Sequence, residues 1–310
     1  MAKGRILIAD PIHEDAIGKL KAAGLDVVVR ADITPVDLLK AVGDVDALVV
    51  RGRTKVTREV ITAGRRLRVI ARSGVGLDNV DLGAAQERNI QVINSPEGPS
   101  VSVAELVFGL ALSILRKIAL GDEGMRQGKW LKKESMGAEL RGRTLGIVGF
   151  GLIGEEVAKR AGAFGMKVLG FDVLPDRVKA MKSLGVEYRP LPDVIATADI
   201  LTVHVPLNPK TKGLIGATEI AKMRQGALVI NTARGGIVDE KALYDGLTAG
   251  RLGGAGLDVF TDEPPHTNPL LSKLVMLPNV VSTPHIGAQT EEAERQNSAI
   301  IADRLLKLFR

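Results

Sequence analysis

The chain has 310 residues, 45% of them hydrophobic and 25% charged, with no cysteine and 3% aromatic residues. This composition excludes a disordered or disulfide-stapled protein and leaves length for two globular domains with a shared cleft. The net charge of +6, from 42 basic against 36 acidic residues, is spread along the chain rather than gathered into a tail, which suits an anionic small molecule better than a nucleic acid.

No extended apolar signal region precedes the first strand, and no run approaches the roughly 18 apolar residues that span a bilayer. With no cysteine either, a cytoplasmic protein without membrane or nucleic-acid partners is expected. Short apolar runs at 5–9, 25–29, 47–50, 69–71 and 91–93 read as strands, separated by helix-sized segments such as 14–23 and 35–41. A turn-rich stretch, Asn94-Ser95-Pro96-Glu97-Gly98-Pro99-Ser100, leads into helical periodicity over 100–120, with Ser100 or Ser102 as candidate caps. The domain crossing is placed there. From 145 the pattern restarts with more hydrophobic strands at 145–148, 167–171, 200–204, 227–231, 254–259 and 280–283. A last helix at 290–309 is expected to return to the first domain. Strands alternating with helices predict an α/β protein with two doubly wound parallel sheets.

The strand at 145–148 runs into Gly149-Phe150-Gly151-Leu152-Ile153-Gly154 and then a helix predicted over 155–163, the context a dinucleotide-binding fingerprint needs. The first glycine makes the turn, the second admits the pyrophosphate and the third packs helix on strand. Asp172 lies 18 residues after Gly154, where a carboxylate accepts from the adenosine ribose and repels a 2′-phosphate, so NAD is expected over NADP. The competing reading of Asp172 is a turn residue ahead of Pro175.

Taking a proton from a hydroxyl while hydride leaves the same carbon calls for a histidine, and there are four. His13 and His266 read as exposed loop residues. His204 and His285 both follow strands and compete for the role. Arg234, at a strand end in Asn231-Thr232-Ala233-Arg234-Gly235-Gly236, can hold an α-hydroxy carboxylate by paired hydrogen bonds. Glu263, after another strand, can orient an imidazole and raise its pKa, or be a solvated turn charge. Arg51 and Arg72 each follow a first-domain strand and are candidates for a distal phosphate on the substrate.

The ordered strings Gly149–Gly154, 231–239, 257–264 and Pro284-His285-Ile286-Gly287-Ala288 resemble the D-isomer-specific 2-hydroxyacid dehydrogenase family over essentially the whole chain. Asp10-Pro11-Ile12-His13-Glu14, Arg53-Thr54-Lys55-Val56-Thr57, residues 72–81 and the Asn94-Ser95-Pro96 loop resemble its phosphoglycerate dehydrogenase branch, and no feedback through the C-terminal serine-sensing module that many members carry is expected. The resemblance implies a Rossmann cofactor domain at 99–287 inserted in a flavodoxin-like substrate domain at 1–98 and 288–310. It makes Arg234, Glu263 and His285 the catalytic set. It gives cofactor contacts to Leu152, Ile153, Asp172, Val205, Pro206, Thr232, Ala233, Asp258, Gly287 and Ala288, and turns the backbone of Ser73, Gly74 and Val75 toward substrate. It also implies a homodimer built through the cofactor domain and the arm at 100–140, and no metal. Glyoxylate or hydroxypyruvate reduction remains open, as does an NAD-sensing binding protein like the C-terminal-binding-protein corepressors.

Overall fold

A computed structural model describes residues 4–309, which divide into two compact units: residues up to Ser100 with those from Ala288 onward, and Val101–Gly287. The first unit runs β1 (Arg5–Ile8), α1 (Glu14–Ala22), β2 (Asp26–Val29), α2 (Pro35–Ala41), β3 (Ala47–Val50), α3 (Arg58–Ala63), β4 (Val69–Arg72), α4 (Leu82–Glu87) and β5 (Gln91–Ile93). The parallel order is β2-β1-β3-β4-β5, the flavodoxin-like arrangement.

The chain then passes through α5 (Ser100–Leu115) and α6 (Ile118–Arg126) to β6 (Thr144–Val148), α7 (Leu152–Ala163), β7 (Lys167–Phe171), α8 (Pro175–Ser183), β8 (Glu187–Tyr188) and α9 (Leu191–Thr197). The second unit continues with β9 (Ile200–Val203), α10 (Ala217–Lys222), β10 (Ala227–Asn231), α11 (Glu240–Thr248), β11 (Leu252–Leu257), α12 (Pro269–Val275) and β12 (Val280–Ser282). Its seven parallel strands lie in the order β12-β11-β10-β9-β6-β7-β8, a Rossmann sheet extended by one strand. The chain ends in α13 (Glu291–Leu308), which packs on α1 and β4 of the first unit.

Each sheet is covered on both faces, so its strands read as continuous apolar runs rather than alternating ones. In the first unit, Leu38, Val60, Ile61 and Ala84 close one face, and Ala16, Leu20, Ile301 and Leu305 close the other. In the second, Val194, Ile220, Leu243 and Leu271 cover one face and Val107, Val157, Ala161 and Met181 the other. The wide stripe expected over 100–120 is two helices: Lys117 takes a left-handed conformation, φ 52°, and breaks the ladder between α5 and α6. Ser100 and Ser102 are helical residues whose hydroxyls donate to the carbonyls of Glu97 and Gly287. The fingerprint helix starts at Leu152, three residues earlier than its sequence suggests.

Candidate active site

The strand order of the second unit's sheet reverses between β6 and β9, and a crevice opens at such a point outside the carboxyl ends of the strands. The fingerprint occupies it. Gly149 has φ +92°, and a Cβ there would lie 2.7 Å from the carbonyl oxygen of His204. A Cβ on Gly154 would lie 2.6 Å from the carbonyl oxygen of Gly149, whereas at Gly151 nothing stands within 4 Å. One glycine therefore makes the turn, one permits close packing, and the middle one leaves space for a ligand.

Gly151 is the N-cap of α7, and its carbonyl accepts from the amide of Glu155. The preceding amides of Leu152, Ile153 and Gly154 have no intrahelical acceptor and face the positive end of the helix dipole. Asp172, one residue past β7, accepts from the Phe150 amide at 2.7 Å and the Leu174 amide at 2.9 Å. Each carboxylate oxygen keeps a lone pair for a ribose hydroxyl. The two readings of this residue thus combine, because the turn bond to Leu174 is also what aims the carboxylate. Exposed Val173, Leu174 and Leu207 follow β7 and β9, the strands on either side of β6, and offer apolar surface for a planar base, a feature too short to show in the sequence.

At the end of β9 and β10, adjacent strands in register, two buried polar atoms have no hydrogen-bond partner among the described residues: His204 Nδ1 and Thr232 Oγ1. Groups like these are costly unless a ligand supplies the missing bond. Together with the open position at Gly151 and the Asp172 carboxylate, they fit a dinucleotide. Burial pushes the His204 pKa down to about 3, so its ring is neutral, with Nε2 3.0 Å from Thr202 Oγ1. A ring held neutral this firmly is a poor proton acceptor, and its Nε2 is already engaged by Thr202, so His285 is the better placed of the two. Val205 packs against Gly149, and the Pro206 carbonyl accepts from Thr211 at 2.5 Å.

His285 has the geometry of an acid/base. Its Nδ1 lies 2.8 Å from Glu263 Oε2, which leaves Nε2 as the nitrogen able to exchange a proton with a ligand. The two side chains are 47% and 40% exposed, open enough for a substrate to reach. Burial pushes the Glu263 carboxyl up, but the His285 bond and charge, the Phe260 amide and the charge of Arg234 outweigh it and hold the group below the usual glutamate range. Glu263 therefore stays ionised beside the ring. The histidine sits in a left-handed turn, φ 55°, that Asp258 fixes by accepting from Thr283 Oγ1 and the amides of Ile286 and Gly287 at 2.6, 2.8 and 2.8 Å. That bracing role of Asp258 is absent from its sequence reading.

Arg234 is presented by a turn in which buried Asn231 donates to the Arg234 carbonyl at 2.9 Å and accepts from the Ala233 amide at 3.1 Å. A Cβ on Gly235 would lie 2.0 Å from the carbonyl carbon of Phe260, so this turn packs backbone to backbone on the loop that carries Glu263. Glu240 anchors the same loop through the amide and hydroxyl of Thr261.

The first unit places Arg51 and Arg72 at the carboxyl ends of adjacent strands β3 and β4. Arg51 is already engaged, donating to Glu294 Oε2 at 2.7 Å and to Gln289 Oε1 at 3.0 Å. Arg72 lies over Gly74, where a Cβ would meet its guanidinium at 1.6 Å. Of the backbone expected to face substrate at 73–75, the Ser73 amide donates to the Val50 carbonyl and the Gly74 amide to Ser95 Oγ. His13, expected as a loop residue, is the N-cap of α1 and accepts from the Asp15 amide.

Residues 108–287 match the family model described as D-isomer specific 2-hydroxyacid dehydrogenase, NAD binding domain. A D-3-phosphoglycerate dehydrogenase of Methanocaldococcus jannaschii is 47% identical over 99% of this chain and 57% of its own length. The chain belongs to the D-isomer specific 2-hydroxyacid dehydrogenase family. It spans little more than half the length of the first such curated relatives, which reach 57% coverage. A Thermotoga maritima hydroxypyruvate reductase is 44% identical over 99% of both chains. A glyoxylate reductase structure from Paecilomyes thermophila superposes with a TM-score of 0.87 at 29% identity, covering 100% of this chain and 96% of that one. The dinucleotide of this dehydrogenase-family domain is NAD, in agreement with the carboxylate at Asp172.

Proposed function

We propose that this chain catalyses NAD-dependent interconversion of a D-2-hydroxy acid and its 2-oxo acid. The observation that carries the reading is the Glu263–His285 pair at 2.8 Å in the same unit as the fingerprint and Arg234. NAD held at the fingerprint would supply the hydride acceptor or donor for C2 of the acid. Arg234 holds the substrate carboxylate and polarises the C2 oxygen through its fork of N–H donors. His285 Nε2 takes the C2 hydroxyl proton during oxidation and gives it back during reduction. Glu263 keeps Nδ1 protonated, orients the ring and stabilises the imidazolium as it forms. Leu152, Ile153, Gly154, Asp172 and Thr232 hold the dinucleotide, with Asp172 excluding a 2′-phosphate.

For the substrate itself, D-3-phosphoglycerate is supported by Arg51 and Arg72 at the strand ends and by the M. jannaschii relative's name. Reduction of hydroxypyruvate or glyoxylate is favoured by the ion pair that already occupies Arg51 and by the full-length T. maritima match. A cytoplasmic homodimer is part of the proposal. Ile118, Leu120, Met125, Trp130 and Met136 are exposed on α6 and the loop after it, and light scattering at twice the monomer mass is the expected result. No helix among the described residues is long and apolar enough to cross a membrane. Oxidation of NADH by a 2-oxo acid, lost in His285→Ala while NADH still binds, tests the enzyme reading against a purely NAD-sensing one.

A further inference from the structure

After Arg234 the chain runs through Gly235, Gly236, buried Ile237 and Val238 and the Asp239 cap to Glu240, the first residue of α11. From there the half-buried Glu240 carboxylate reaches Thr261, accepting from its amide at 2.8 Å through Oε1 and from its hydroxyl through Oε2. Thr261 stands two residues before Glu263, and residues 261–264 are all exposed, so packing does little to fix them. Polar bonds tie the segment down instead: Asn268 donates to Asp262 at 2.7 Å from the α12 side, and Glu240 holds Thr261 from the α11 side. Keeping a carboxylate at this place is costly. Burial, with the charges of Asp262 and Asp239, outweighs the two Thr261 bonds and pushes the Glu240 carboxyl above the usual glutamate range. The helix itself does not call for this carboxylate, since Asp239 already caps α11 by accepting from the Ala242 amide at 2.8 Å.

We propose that Glu240 is a positioning residue: by clamping Thr261 to the start of α11, it holds the Glu263 loop where His285 needs its carboxylate. The inference rests on the acid/base reading above, and every group in it belongs to the second unit. The path runs from Glu240 to Thr261, along two residues of backbone to Glu263, and from Glu263 Oε2 to His285 Nδ1 at 2.8 Å. The bond that Glu263 Oε1 accepts from the Phe260 amide at 3.2 Å lies inside the same loop and does not tie that loop to α11. Release of Thr261 lets the carboxylate drift from the ring, which then loses its orientation and the counter-charge for the imidazolium. The Asn231 bonds that present Arg234 and the glycine turn at 149–154 do not pass through Glu240 and stay as they are. The affected step is therefore proton transfer at His285 Nε2, where a misplacement of about 1 Å can cost about 10²-fold in rate.

The test measures kcat, KM and the NADH Kd with whichever of hydroxypyruvate, phosphohydroxypyruvate and glyoxylate the wild type reduces fastest. The variants are Glu240→Ala, Glu240→Gln, Glu263→Gln and Glu240→Ala combined with Glu263→Gln. Glu240→Ala is expected to lower kcat at least tenfold, with KM for the acid within threefold and the NADH Kd within twofold of wild type. Glu240→Gln, which can accept from the Thr261 amide and donate to its hydroxyl, should recover kcat to within threefold of wild type. Because the effect passes through Glu263, adding Glu240→Ala to Glu263→Gln should lower kcat less than twofold further. A Glu240→Ala enzyme with kcat within twofold of wild type overturns the inference, and so does a tenfold further loss in the double variant, the mark of a merely structural role. In both cases the dehydrogenase reading stands. Should Glu240→Ala fail to fold, Thr261→Val, which removes one of the two bonds, should lower kcat at least threefold in the wild-type background and leave it unchanged in Glu263→Gln; an unchanged kcat in the wild-type background overturns the inference. Absence of wild-type turnover with all three acids overturns the dehydrogenase reading and the inference with it.

Discussion

The strand orders of the two sheets reverse at equivalent points, and the chain treats those points in opposite ways. In the second unit, β6 ends in a glycine turn that leaves three amides unsatisfied and a gap at Gly151. In the first, β1 is followed two residues on by Asp10, whose buried carboxylate accepts from the amides of Arg51 and Thr54 at 2.6 and 3.2 Å, the Thr54 hydroxyl at 2.6 Å and Arg53 Nε at 3.0 Å. Where one crevice stays open to an anion, the other is filled by the protein's own anion. A shared topology therefore does not confer a shared ligand, because the site lies in the few residues at the turn.

If that contrast is right, removing the internal anion should damage the first unit without touching dinucleotide binding. Asp10→Ala leaves the Thr54 and Arg53 donors without their buried acceptor and is expected to cost about 2–4 kcal/mol of stability. Calorimetry should still find NADH affinity within twofold of wild type; a tenfold loss would show that the two turns are not independent. Burial pushes the Asp10 carboxyl up, but its four hydrogen bonds hold it below the aspartate range. Its contribution is therefore present above the unfolded pKa and lost as the pH falls through and below it.

The reciprocal change is Gly149→Ala. A methyl group at φ +92°, 2.7 Å from the His204 carbonyl, should cost about 1–3 kcal/mol. Unlike Asp10→Ala, it should weaken NADH binding at least tenfold, and unchanged affinity would mean that the turn does not shape the site.

A smaller effect separates the units by pH. His204 is neutral in the fold, with its pKa pushed down to about 3, while an unfolded histidine titrates near 6.5. The unfolded chain thus binds the extra proton, and stability is complete above about pH 6.5 and falls toward pH 3, by at most about 1.4 kcal/mol per pH unit. Denaturant midpoints between pH 7 and 5 should decline less in His204→Gln than in the wild type; parallel declines would refute the assignment.

The second unit was the more legible of the two in sequence, for physical reasons. Its fingerprint, Asp172 and the strand-end residues Arg234, Glu263 and His285 act through local turns, so their spacing carries the geometry. β8 escaped because Glu187 and Tyr188 are both exposed at the sheet edge and show no apolar run. β11 starts at Leu252, two residues before the expected 254, because Gly253 has no side chain to pattern. The split between α5 and α6 depends on one backbone angle at Lys117, while apolar spacing continues to Leu120. Long-range partners left no trace at all: Arg51 with Glu294, and Ser95 with Asn297 at 2.7 Å, join residues that only the finished fold brings together.

The most direct test of the central claim compares wild type with His285→Ala in NADH oxidation by hydroxypyruvate, phosphohydroxypyruvate and glyoxylate, alongside NADH affinity. Loss of a general acid/base predicts a fall in kcat of about 10²–10⁴-fold on every acid turned over, with the NADH Kd nearly unchanged. A variant that keeps wild-type kcat would contradict the account and remove His285 from the chemistry.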